Sequence, residues 1–203
     1  MPALILASAS PQRRRLLKKL GRRFRVIPSR VSEKSAQRDP RRVALELALR
    51  KARAVSRRHP RALVLGADTI VVCRGKIIGK PKSLSHARRI LKELNGRWHR
   101  VYTGVALSLP GPGGVRASVA ITRVKARRLD EAKLSTLAGK HMDKAGAYAV
   151  QDRRDPFIAQ IRGDMDNVIG LPVSLVRRLL SRAGYPGPDR AAPREARSRS
   201  KLL

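Results

Sequence analysis

Apolar runs no longer than strands alternate along this chain with stretches whose apolar positions recur at helical spacing. Leu4 to Leu6 reads as a short buried strand. Ser10-Pro11 then opens a helix running to about Leu20, with Ser10 as N-cap, Pro11 at the first helical position and Gly21 as its close. Phe24 to Ile27 is a second strand. Val43, Leu47, Ala48, Ala52 and Val55 share one face of a helix over 43–56 that also carries Lys51. Ala62 to Leu65 and Ile70 to Cys73 are strands separated by Gly66-Ala67-Asp68-Thr69, so the pattern places Asp68 at a strand break, and Arg74-Gly75 turns the chain into Lys76 to Ile78. Ser83 or Ser85 caps a helix to Leu94, stopped by Asn95-Gly96. Two long strands, about Trp98 to Leu109 and Val115 to Arg128, form a hairpin through Gly111-Pro112-Gly113-Gly114. Asp130 caps a helix to about Ala138, 147–150 and 157–161 read as strands, and 172–182 as the last helix. Interleaved helices, strands and hairpins predict an α/β fold, a mixed twisted sheet flanked by helices. One domain over 1–183 is expected, followed by a tail over 184–203 that is basic and lacks periodicity, as a disordered segment would.

Composition sharpens this in two places. The 203 residues carry a net charge of +33, which favours a polyanionic partner. Yet the basic residues are spread through nearly every segment and aromatics are only 3% of the chain, leaving few platforms for base stacking. The expectation is an arginine-rich surface with loose, salt-sensitive, non-specific attraction to nucleic acid. No apolar run approaches the roughly 20 residues of a membrane-spanning helix. The N-terminus also lacks the basic flank and cleavage site of a secretory signal, so no membrane role and a cytoplasmic location are expected. A single cysteine, Cys73, excludes an internal disulfide, and the scattered histidines supply no zinc site around it.

Candidate chemistry begins with the loop before the first helix. A strand leading into a helix N-terminus leaves backbone N–H groups and the positive end of the helix dipole facing outward, which suits a phosphate, so residues 7–13, including Ser8, Ser10 and Arg13, are the first candidate site. Glu33 lies in a polar loop, and Lys80 and Lys144 stand beside glycines or near them. Taken singly these are what an ordinary cap, loop or turn would show. Asp68 is less ordinary, because a carboxylate between buried strand segments needs a partner or a metal.

In combination, Leu-Ala-Ser-Ala-Ser-Pro (6–11), Gly-Ala-Asp-Thr (66–69), Gly-Lys-Pro (79–81), Val-Tyr-Thr-Gly-Val (101–105), Asp-Lys-Ala-Gly-Ala-Tyr (143–148) and Asn-Val-Ile-Gly-Leu-Pro (167–172) resemble, in order and spacing, the Maf family of nucleoside triphosphate pyrophosphatases. The resemblance implies two lobes around a cleft, a fold related to the inosine triphosphate pyrophosphatases, and usually a homodimer. It implies cleavage of a nucleoside triphosphate between its α- and β-phosphates, with Asp68 as proton acceptor. Glu33 and Asp68 would be contacts for Mg²⁺ or Mn²⁺, hard ions suited to oxygen ligands and phosphates. Glu33, Lys51 and Lys80 belong with Asp68 to the implied catalytic set, and Ser8, Ser10, Arg13 and Lys144 to the substrate-binding one. Three positions separate the branch acting on dTTP and UTP from the one acting on methylated guanine nucleotides. Thr69 and Gln151 match the dTTP/UTP branch, and a glutamine amide can both donate to a pyrimidine carbonyl and accept from its N3–H. Gln12 departs from the arginine usual there, and Asp152-Arg153-Arg154-Asp155-Pro156 replaces the usual glycines. A methylated guanine or broadened substrate, and a nucleic-acid-binding or cell-division regulatory role on the same scaffold, stay open on these residues.

Overall fold

A computed structural model describes residues 2–152 and 156–185. Arg153 to Asp155 of the unusual segment and residues 186–203 of the expected tail lie outside them. Among the described residues, seven strands form a single mixed sheet: β1 (Leu4–Leu6), β2 (Phe24–Val26), β3 (Leu63–Cys73), β4 (Lys76–Ile78), β5 (Trp98–Ser108), β6 (Val115–Ala126) and β7 (Ile158–Arg162). Their order is β2-β1-β3-β5-β6-β7, with β4 paired to the far end of β3. β1 runs parallel to both neighbours, and every other pairing is antiparallel.

The helices are α1 (Pro11–Lys18), α2 (Pro40–Ser56), α3 (Leu84–Leu94), α4 (Glu131–Leu137), α5 (Met165–Ile169) and α6 (Val173–Arg182). Ser10, Ser83 and Asp130 cap α1, α3 and α4 as their types predict, each side chain accepting a backbone N–H three residues on.

Strand alternation divides the core. Odd-numbered residues of β3 and β5 face α1 and α6 at one end, where Leu63, Leu65, Val105 and Leu107 pack with Leu17 and Val176. At the other end Val71, Cys73 and Val101 face α3 and α4. The even-numbered residues face α2. Two cores on one sheet face, one at each end of the long strands, make two lobes.

Three expectations are corrected. The break at 66–69 lies beside β3 rather than in it. β1 pairs β3 only over 63–65 and β4 only over 71–73, so β3 runs unbroken while 66–70 are left without a neighbour on that edge. The helix expected from Val43 starts at Pro40 behind an Asp39 cap, because Arg41 and Arg42 give its first turn no apolar face to signal. Residues 147–150 form a bend and an irregular stretch leading into a turn, with Ala147 and the preceding Gly146 at positive φ (57° and 82°); their apolar character reflects burial and not a strand. The five-residue α5, capped by Asp164, is too short to leave a periodic signal.

Candidate active site

The edge gap in β3 opens into a cleft of about 760 Å³ between the lobes, lined by residues from α1, α2, β3, β4 and the turns near 145 and 170. That volume lies within the range of small-molecule sites. Alternation sends Asp68 to the α2 face and Thr69 to the other, so neighbouring residues serve opposite walls.

On the α2 side, Lys51 is buried and its Nζ reaches Asp68 Oδ1 at 2.5 Å and Glu33 Oε1 at 2.7 Å. Lys80 Nζ meets the other Glu33 oxygen at 2.8 Å. A row of lysine, carboxylate, lysine, carboxylate therefore runs from solvent into the sheet. Partial burial pushes the Glu33 carboxyl up, but hydrogen bonds and charge from Lys51 and Lys80 outweigh it and hold the group at about 2. Glu33 is thus ionised across the neutral and mildly acidic range.

On the other side, Arg13 is fixed by three acceptors. Its Nε donates to Gly170 O at 2.9 Å, and its terminal nitrogens donate to Thr69 Oγ1 at 3.1 Å and Ser8 Oγ at 3.4 Å. Burial lowers its pKa, while the charges of Asp68 and Glu33 oppose the shift. Thr69 Oγ1 also bonds Thr103 Oγ1 at 2.9 Å. Ser10 receives Arg13 N, and its own hydroxyl donates to Gln12 Oε1 at 3.4 Å, so Ser8, Ser10, Gln12 and Arg13 share the start of α1. Lys144 and Gln151 line the opposite rim, Gln151 exposed and Lys144 paired with Asp143 at 2.7 Å. All eleven candidate residues border this one cleft or, for Thr69 and Asp68, lie on its floor.

Tyr148 and Gly170 were not singled out from the sequence, although each falls in a quoted motif. Gly170 (φ 124°) turns its carbonyl onto Arg13, and Tyr148 lines the cleft with its hydroxyl 2.8 Å from His99 Nε2. Burial holds His99 at about 4, so a neutral ring secures that tyrosine. Their places in the quoted motifs were the signal the sequence carried.

Among the described residues, no group of three or more His, Cys, Asp or Glu could enclose a metal by itself. The two carboxylates already converge on one cation at Lys51, however. Mg²⁺ typically takes one or two carboxylates plus phosphate oxygens, so these two carboxylates fit such an ion if a phosphate ligand completes its shell. Among the described residues, five cations line the cleft, Arg13, Arg30, Lys51, Lys80 and Lys144, against three carboxylates, Glu33, Asp68 and Asp143, which leaves it net positive.

Comparison with known proteins agrees in extent with this architecture. The family model for Maf-like proteins matches residues 3–183. A dTTP/UTP pyrophosphatase of Elusimicrobium minutum is 44% identical over 182 residues, spanning 90% of this chain and 99% of the relative. One of Moorella thermoacetica is 48% identical over 186 residues, spanning 89% and 95%. One of Thermococcus kodakarensis is 46% identical over 179 residues, spanning 87% and 94%.

Proposed function

Since the chain belongs to the Maf-like protein family, we propose that it is a nucleoside triphosphate pyrophosphatase hydrolysing dTTP and UTP to the monophosphate and pyrophosphate. The observation that carries the reading is the Lys51 bridge between Asp68 and Glu33 inside a cleft ringed by cations. Water attacks the α-phosphorus, its proton passes to Asp68, and the bond from that phosphorus to the α,β-bridging oxygen breaks with pyrophosphate as leaving group. Lys51 orients the Asp68 carboxylate and offsets its charge. Arg13, Lys80 and Lys144 hold phosphate oxygens through charge-assisted hydrogen bonds, with Ser8 and Ser10 adding hydroxyl contacts. Glu33 and Asp68 would hold Mg²⁺ or Mn²⁺, which supplies charge neutralisation to the triphosphate and a lowered pKa to water. Gln151 reads the pyrimidine edge, supported by Thr69, while Gln12 beside Ser10 offers an amide where arginine would give a fork of donors, which favours a broadened base range as second reading. As an enzyme of the nucleotide pool it would act in the cytoplasm, as a homodimer.

The test is product analysis over a panel of normal and methylated NTPs, with and without added Mg²⁺ or Mn²⁺. Pyrophosphate as first product, highest turnover on dTTP and UTP, and no turnover after chelation are expected. Orthophosphate as first product would place attack at the γ-position and remove the assignment; a methylated guanine nucleotide as best substrate would move only the base preference. Sedimentation velocity checks the dimer.

A further inference from the structure

The chain's one tryptophan lies far along the sheet from the Asp68 gap, at the start of β5. Its cross-strand partner is Lys125 on β6, and the next outward row joins Arg100, Arg123 and Arg162 across β5, β6 and β7. The intervening row, with His99 and Val124 buried, points into the α3–α4 core, so alternation turns Trp98 and all four cations outward. Arg100, Arg123 and Arg162 are exposed, and Trp98 and Lys125 partly so. The guanidiniums of Arg123 and Arg162 lie 5.1 and 4.9 Å from the indole centroid, and Lys125 Nζ lies 5.9 Å from it. β5, β6 and β7 contain no Asp or Glu, and these four cations form no ion pair among the described residues. Along the sequence the basic residues are scattered and the aromatics few; strand pairing gathers three cations around the single indole and sets Arg100 beside them.

We propose that this face binds single-stranded nucleic acid, independently of base sequence and separately from the NTP cleft. Cations packed together without an anion repel one another, and a phosphate backbone relieves that repulsion. An indole within a basic patch on an open sheet face adds a stacking surface for unpaired bases, which a duplex cannot present to it. α2 covers the even-numbered face only farther along, where Tyr102 packs with Val43 and Leu47, so the 98–100 end remains open.

Trp98 is its own reporter. Intrinsic fluorescence of the full-length protein is followed during titration with a fluorescence-silent oligoadenylate, the matching duplex, or heparin, at 50 and 150 mM salt. Saturable quenching by the single strand that exceeds that by duplex and heparin is expected. The double variant Arg123→Ser, Arg162→Ser should bind the oligonucleotide at least tenfold more weakly while hydrolysing its NTP unchanged, since neither residue borders the cleft. Absence of quenching, equal affinity in the double variant, or equal quenching by heparin would overturn the proposal in favour of diffuse charge attraction. Conversion of a dimer to a monomer by the double variant would overturn it too, by assigning the face to a second copy of the chain. Each outcome is read apart from NTP hydrolysis.

Discussion

Asp68 and Glu33 share one ammonium but differ in setting, and substitutions should separate them. Asp68 is buried, so removing a partner of Lys51 outright would leave an uncompensated charge. Asn retains an oxygen to accept from Lys51 Nζ but cannot take a proton. Asp68→Asn should therefore fold, by circular dichroism, and lose at least about 100-fold in turnover; near-normal turnover would remove Asp68 from the proton-acceptor role. Glu33 is half-exposed and its contribution is one of pH. Its folded-state pKa, about 2, lies below the ordinary 4.5, so the stability it adds is present above about pH 4.5 and is lost as pH falls toward 2. Wild type should exceed Glu33→Gln in Tm at neutral pH, with the gap closing across that acidic window. A gap that is constant down to pH 2 would mean that the Lys51 and Lys80 pairings do not stabilise the fold.

Lys51 reaches the sheet only because α2 lies very close to it. Ala44, Ala48 and Ala52 face Gly66 and Gly104, and a Cβ on Gly104 would fall 2.1 Å from Ala44 O, one on Gly66 2.3 Å from Ala48 O. Those neighbours are helix backbone, so the helix itself must move. Gly104→Ala should cost roughly 1–3 kcal/mol in chemical denaturation. By shifting Lys51 relative to Asp68 it should also lower turnover, by up to about 100-fold for a displacement near 1 Å. Loss of stability with full activity would show that the Lys51–Asp68 contact follows the sheet and not the helix.

For the whole molecule, the charge of +33 divides into a located and a diffuse part. Arg123, Lys125 and Arg162 around Trp98, with Arg100 beside them, belong to the sheet. Residues 186–203 carry further basic residues but no apolar periodicity with which to join a core, whereas Tyr185 packs against the α1–α6 cluster and its carbonyl accepts from Arg22 at 2.9 Å. Deleting 186–203 should leave turnover and Trp98 quenching unchanged while weakening salt-sensitive retention on heparin. A collapse of turnover on truncation would give the C-terminal segment a part in the site.

Local chemistry made much of this legible. Helix caps at Ser10, Ser83 and Asp130 satisfy their own backbone within three residues, and a strand's period of two is written in its side chains, so α1, α3, α4 and the long hairpin could be read directly. The candidate cleft residues were nameable through motifs, but what each touches was not. Only tertiary pairing leaves β3 uncovered between β1 and β4, carries Lys51 to both Asp68 and Glu33, and hangs Arg13 on Gly170, 157 residues away. Only strand register brings Arg162 to the row of Arg100 and Arg123 around Trp98. Contacts between residues distant in sequence depend on how the sheet closes, and no local pattern encodes that; spacing along the chain determined which groups were available, and packing decided which of them meet.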